Sequence, residues 1–256
     1  MTPASRVPER AVSDLVGFVL VFALVVSTVG IVSVAGLDTL QSARDAERIN
    51  NAERAFEILR SNTADIYQRG APSRATEVSL DDASLALGDQ IWFNVSDPGT
   101  GGGPSFHNAS VVRPIVYDSG DTRLVYVMGA VFREQRDGGV VVQPWSPVIG
   151  QDRTVIPQVK TTSATQTGQS VKSSTVLIRA SANRRRVRLS ETGGAYDDVW
   201  INVSSTPRAD LWARMLGDHP QIDCPTVRDT SVECSMTDTP QRLFVTETWI
   251  AVSLKR

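Results

Sequence analysis

The hydrophobic pattern changes twice along the chain, and each change marks a boundary between predicted elements. Residues 15–37 form an apolar run of 23 residues without a charged side chain. Helix geometry gives this run a length of roughly 34 Å, more than the hydrocarbon core of a bilayer at roughly 30 Å. A buried core helix would be shorter and amphipathic. We therefore predict a membrane-spanning helix here, with the lipid bilayer as its partner.

The next segment has the periodicity of an amphipathic helix. No proline occurs between Glu9 and Ala71, and apolar residues recur in steps of three and four, with the polar Thr63 in one place, at Ile49, Ala52, Phe56, Leu59 and Ile66. Gly70 and Pro72 are the stop signals. We expect one helix over about 12–69, and a helical segment 12–71 that consists of the span and an extracytoplasmic amphipathic stalk.

After Pro72 the pattern becomes that of a β domain, residues 72–256. Short apolar or β-branched runs alternate with Gly, Pro, Asp and Asn. The predicted strands are Glu77–Leu80, Ile91–Val95, Val111–Tyr117, Arg123–Phe132, Val140–Val142, Val155–Val159, Ser174–Ala180, Arg185–Leu189, Val199–Val203 and Arg242–Ser253. One short helix is expected over 206–217, with Thr206 and Pro207 at its start. The predicted class is α+β: a long N-terminal transmembrane helix, then a mainly antiparallel β-sandwich-like domain of two sheets.

Charge and cysteine placement indicate where the β domain lies. Arg6 and Arg10 precede the apolar run and Asp38 follows it, which places the short N-terminal end inside and the rest of this single-pass protein outside the cell membrane. Cys224 and Cys234 are close enough in sequence to close a hairpin-sized loop. A disulfide fits an oxidising compartment, and two reduced thiols are the alternative.

Three Asn-x-Ser sequons, at Asn94, Asn108 and Asn202, are candidate glycosylation sites on an external domain. The run Arg184, Arg185, Arg186 and Arg188 is interpreted as a solvated hairpin, with binding of an anionic partner as the alternative.

Composition and motifs argue against several functions. A formal net charge of -2 provides no field to attract nucleic acid. The sequence has no motif of a hydrolase or a metalloenzyme, so we expect no catalytic residue, no metal and no cofactor.

The residues before the apolar run resemble a processing signal. A charged leader, residues 1–11, ends in Arg10 and Ala11, and the apolar helix begins at Val12. This order resembles the class III signal peptides of archaeal type IV pilins and archaellins. The stretch RAVSDLVG is similar to the RAVSPVIG start of haloarchaeal pilins and departs from it at Asp14 and Leu15. The resemblance implies a prepilin peptidase as partner, with cleavage between Ala11 and Val12.

A second resemblance covers most of the chain. The segments AERINNAERAF, RGAPSRATEVSL and GAVFREQRDGGVV resemble an uncharacterised subgroup of haloarchaeal pilin-like proteins.

Two further features of the helix have alternative interpretations. Ser13 and Asp14 either cap the start of the helix or, as the resemblance implies, contact a neighbouring subunit. The small residues Ser27, Gly30, Ser33 and Gly36 either form a helix-packing face or reflect ordinary membrane-helix composition.

The expected function is a pilin-like surface subunit that is processed and then anchored or assembled through its N-terminal helix with other such subunits. The alternative is a monomeric binding or adhesion domain on a membrane anchor. Cleavage by signal peptidase after Ser33-Val34-Ala35, before Gly36, would instead release a soluble domain.

Overall fold

The structure is a computed structural model that describes residues 9–165, 170–172 and 174–255, with the side chains of 9–14 and 34–38 outside the description. The helices are α1 (Glu9–Arg69) and α2 (Ala209–Gly217). The strands are β1 (Ser73–Ser79), β2 (Ser84–Leu87), β3 (Ile91–Asp97), β4 (Phe106–Val112), β5 (Ile115–Asp118), β6 (Thr122–Val127), β7 (Ala130–Gln135), β8 (Gly138–Gln143), β9 (Thr154–Ser163), β10 (Ser170–Val171), β11 (Thr175–Thr192), β12 (Trp200–Ser204), β13 (Ile222–Arg228), β14 (Ser231–Met236) and β15 (Arg242–Lys255).

The chain divides into two compact units, residues 1–49 and 50–256, so the division falls within α1. The first unit contains the N-terminal part of α1. The second contains the rest of α1 and all the strands, because the end of the helix is packed among them.

The strands of the described residues form three sheets rather than the predicted two. Sheet I has the order β1-β11-β15-β9, sheet II the order β10-β2-β5-β6-β7-β8, and sheet III the order β13-β14-β12-β3-β4. All strand pairs are antiparallel except β9 with β15. The predicted class, an apolar N-terminal helix followed by a mainly antiparallel sandwich-like domain with a short helix, is confirmed.

The periodic face of α1 is buried, as predicted. Ala52, Phe56, Leu59 and Ile66 are at most 2% exposed, and Thr63 is fully buried, its hydroxyl donating to the Leu59 carbonyl at 2.9 Å. Ile49, at the end of this face, is half-buried. This helix face supplies the apolar contact that stabilises residues 50–69 within the second unit.

Sheet II is the middle layer of the second unit, because its central strands are buried on both faces. Val116, Val125 and Phe132 belong to the main core cluster, together with residues of sheet III and α2. Tyr117, which alternates with Val116, points to the other face, where its ring lies edge-on to Phe56 at 6.4 Å between centroids.

Several predicted strand boundaries are wrong. The run Val111–Tyr117 is two strands in different sheets, β4 and β5, because the chain crosses between the sheets at Pro114. The run Arg123–Phe132 is a hairpin, β6 and β7. Its two-residue turn is Met128-Gly129, both at positive φ. Strands β2, β10, β13 and β14 were not predicted.

The arginine run is not a hairpin, since all four side chains belong to the single strand β11, which pairs with β15 through two irregularities of register. Arg185 donates to the carbonyl oxygens of Ile66 at 3.0 Å and Ala71 at 2.9 Å. A strand residue therefore satisfies a carbonyl group left open at the C-terminal end of α1.

Candidate functional site

The apolar segment of α1 exposes hydrophobic side chains on every face. All residues from Leu15 to Ser33 are exposed, with Phe18 at 68% and Ile31 at 70%. Helices of soluble proteins bury at least one apolar stripe. The segment Leu15–Ser33 is long and apolar enough to cross a membrane by its length and composition. It is therefore compatible with single-pass membrane anchoring.

The predicted processing residues lie in the first turns of α1. Residues 9–12 are already helical, so in the full-length chain Ser13 and Asp14 lie within α1 and not at its N-cap. The side chains of Arg10, Ala11, Val12, Ser13 and Asp14 lie outside the described part of the chain.

The row of small residues lies within the apolar segment. Ser27, Gly30 and Ser33 are exposed, and a methyl group placed on Gly30 would meet no atom within 4 Å. Gly36 falls among the residues whose side chains are not described. This face is open to a neighbouring helix.

The two cysteines form a disulfide that joins β13 to β14. Cys234 is fully buried in the main core, and Cys224 packs against that core from the side of α2, where its sulfur lies 3.8 Å from the Ala213 carbonyl oxygen. The bond thus connects an edge strand of sheet III to its neighbour. Disulfides persist in oxidising compartments, so this bond suggests an extracellular domain.

The three sequons lie in very different surroundings. Asn108 is 2% exposed, and its side chain binds Gln158 and Arg188 in the interior. In the folded domain the Asn108 amide nitrogen is enclosed and already donates a hydrogen bond, so Asn108 is the least accessible of the three sequons, and glycosylation there stays a prediction.

Asn94 and Asn202 are half-buried and pair directly across β3 and β12. Both amide oxygens are buried and have no hydrogen-bond partner among the described residues. The Cβ atoms of residues that lie directly opposite each other in a sheet are about 5 Å apart. Glycans on both Asn94 and Asn202 would therefore clash. Glycosylation at either one stays a prediction.

A buried ionic network connects sheets I and III. Lys160 on β9 and Glu247 on β15 are less than 9% exposed and lie 2.9 Å apart. Arg188 on β11 lies 3.5 Å from Glu247 and donates to the Asn108 side chain at 2.7 Å. Lys160 and Glu247 are thus paired buried charges, and removing either partner would leave the other buried without compensation.

A cavity of about 490 Å³ opens between sheet II and the segment that leads into α2. This volume is in the range of small-molecule sites. Side chains from β6, β7 and α2, among them Val125, Phe132 and Trp212, line its apolar part. Ser205, at φ +58°, also lines it. A non-glycine residue in this conformation marks a loop whose shape is fixed by its surroundings.

Three charged residues meet at the polar side of this cavity: Arg123, Glu134 and Arg208. Glu134 is 6% exposed, and its carboxylate lies 3.6 Å from the Arg123 guanidinium. Burial raises the pKa of the Glu134 carboxyl, while Arg123 and Arg208 oppose this shift. The sequence did not predict these residues as a site. Each lies in a different element, and a charged residue at its position is ordinary for a strand or a loop.

The sequence match to a known family covers the apolar segment and the β domain together. A family of proteins of unknown function, DUF7289, matches residues 10–253. The chain belongs to this family. Because the match begins at Arg10, the apolar segment is part of the DUF7289 unit and not an addition to it. The comparisons with curated proteins and with solved structures returned no match.

Proposed function

We propose that this chain is a pilin-like surface subunit, held in the membrane and assembled with other subunits through its N-terminal helix. The observation that carries the proposal is the contrast along α1. Residues 15–33 are exposed on all faces, while Ala52, Phe56, Leu59 and Ile66 of the same helix are buried in the β domain. The apolar segment thus requires lipid or other apolar helices around it.

The composition of residues 15–33 suits both a lipid environment and a bundle of helices. Lipid covers an apolar helix without specific contacts, and a neighbouring helix can approach closely along Ser27, Gly30 and Ser33. A subunit that keeps this segment after processing can move from the bilayer into a bundle of like helices. The disulfide between Cys224 and Cys234 supports a β domain outside the cytoplasm.

The first experiment determines the N-terminus of the mature protein by mass spectrometry, from membranes and from sheared surface material of the native host. We expect the chain to begin at Val12 in both fractions. A chain that begins at Met1 in both would overturn processing, and a chain that begins at Gly36 would indicate a secreted domain.

A matched pair of variants identifies the cleaved bond. Ala11→Leu enlarges the residue before the proposed cut, and Ala35→Leu makes the same change before the competing one. We expect Ala11→Leu to retain residues 1–11 and Ala35→Leu to leave the mature N-terminus at Val12. The opposite result would support signal peptidase.

The second candidate function is a monomeric binding domain on a membrane anchor, which the cavity beside Trp212 favours. The two functions differ in where the protein is recovered after shearing. An assembled subunit is released with filaments, whereas a permanent anchor stays with the cells.

A further inference from the structure

The cavity between sheet II and α2 combines an apolar interior with unsatisfied polar groups. Val125 and Phe132 present apolar side chains from adjacent strands, and Trp212 faces them from α2. These residues belong to the main core cluster and are held in place by it. A ligand that fills this part of the cavity needs an apolar body.

The polar side of the cavity lacks two hydrogen-bond partners. The Arg123 Nε atom is buried and has no hydrogen-bond partner among the described residues, since its contact with the Asp118 carboxylate at 3.4 Å does not have hydrogen-bond geometry. The Glu134 carboxylate is nine-tenths buried, and its ion pair with Arg123 is, at 3.6 Å, longer than a hydrogen bond. A ligand that satisfies both groups supplies one hydrogen-bond acceptor for Arg123 and one donor for Glu134.

The charges on the lining set the net charge of the occupant. The lining contains two guanidinium groups, Arg123 and Arg208, and two carboxylates, Asp89 and Glu134. These four charges sum to zero; Asp118, which pairs with Arg123, is not part of the lining. An occupant that brings a single net charge would leave an imbalance in this partly enclosed site, whereas a zwitterion would not.

We propose that this cavity binds a free apolar α-amino acid. The ammonium group donates to the Glu134 carboxylate, the carboxylate accepts from Arg123 and Arg208, and the side chain packs against Val125, Phe132 and Trp212. The cavity lies wholly in the second unit, so this inference does not rest on the proposed assembly function.

The test uses the full chain in lipid nanodiscs, with empty nanodiscs as the background, and measures saturable binding by calorimetry. The probes are L-leucine and L-phenylalanine. The probe that binds more tightly is compared with its deaminated and decarboxylated counterparts, which for leucine are 4-methylpentanoate and 3-methylbutylamine. Because each counterpart loses one charge-assisted interaction, we expect both to bind about tenfold or more weakly than the amino acid. Glycine, which lacks the apolar side chain, should not bind measurably.

Two variants, Glu134→Gln and Val125→Trp, test the lining residues, and Glu77→Gln is the control. Glu134→Gln keeps the shape of the side chain and removes its charge, so binding should weaken about tenfold or more. Glu77→Gln makes the same change at an exposed position of β1, and binding should not change. Val125→Trp fills the cavity and should abolish binding. The thermal unfolding of each variant shows whether it has folded.

Three results would overturn the proposal: no saturable binding of either amino acid, binding of the deaminated counterpart as tight as that of the amino acid, or unchanged binding by folded Glu134→Gln. The mature N-terminus, measured separately, tests the assembly function whatever the cavity binds.

Discussion

Among the described residues of α1, Phe56 is the largest side chain that is fully buried. Phe56 is 0% exposed, and its ring lies edge-on to that of Tyr117. Replacing Phe56 by alanine removes the buried ring and leaves a cavity at the contact between helix and sheet II, which costs about 3–5 kcal/mol. Alanine is the better helix former by about 0.5 kcal/mol, which offsets little of this loss. We expect a net loss of about 3–4 kcal/mol.

The assay is chemical unfolding of the full chain in detergent micelles, followed by tryptophan fluorescence. The matched control is Ile58→Ala, on the same helix, where the side chain is 56% exposed. Its unfolding free energy should stay within about 0.5 kcal/mol of the wild-type value. For a domain of this size, the Phe56→Ala loss corresponds to a melting temperature lower by roughly 6–16 °C. Equal effects of the two substitutions would refute the inference that this helix face is part of the core.

Three further perturbations test features of the second unit. Reduction of the Cys224–Cys234 bond should lower the unfolding free energy by about 3 kcal/mol, and the double alanine variant should show no response to the reductant. Lys160→Met leaves the Glu247 carboxylate buried without its closest cation and should cost about 3–5 kcal/mol in denaturant unfolding, whereas Lys160→Met combined with Glu247→Leu should cost clearly less. Burial raises the pKa of the Glu134 carboxyl in the folded state. This group therefore contributes fully to stability at a pH below its pKa in the unfolded chain, about 4.3, and the contribution is lost as the pH rises through its pKa in the folded protein. Unfolding of wild type and Glu134→Gln in ligand-free buffer at stepped pH should therefore show the wild type losing stability relative to the variant over that interval, and a constant difference would contradict the shift.

The helix was predictable because its signals are local. The spacing of Ala52, Phe56, Leu59 and Ile66 identifies the buried face, and Gly70 at φ +79° ends the helix as expected. The prediction also included Thr63, a polar residue in the apolar row. Its hydroxyl donates to a carbonyl one turn earlier, and it therefore tolerates full burial.

The strand boundaries were less predictable because tertiary contacts decide them. Sheet II is buried on both faces, so β5, β6 and β7 appear as continuous apolar runs without a visible turn. Met128 is an unusual residue at positive φ and does not indicate the hairpin. The short helix begins three residues later than expected, at Ala209, and its N-cap residue Arg208 makes no capping hydrogen bond through its side chain.

The cavity could not have been predicted from sequence. Arg123 and Glu134 occupy paired positions on adjacent strands, and Arg208 lies some 70 residues further along the chain, before α2. Only the packing of sheet II against α2 brings the three together. The same holds for Lys160 and Glu247, which a parallel pairing of β9 with β15 joins across more than 80 residues.

The position of β15 has a consequence for the order in which the chain folds. This strand lies inside sheet I, between β11 and β9, yet it follows both of them in sequence. A chain that is synthesised from its N-terminus therefore cannot complete sheet I until Arg242–Lys255 has emerged. Contacts this distant in sequence slow folding and leave apolar segments uncovered in the meantime. Truncation within β15 should thus impair folding severely.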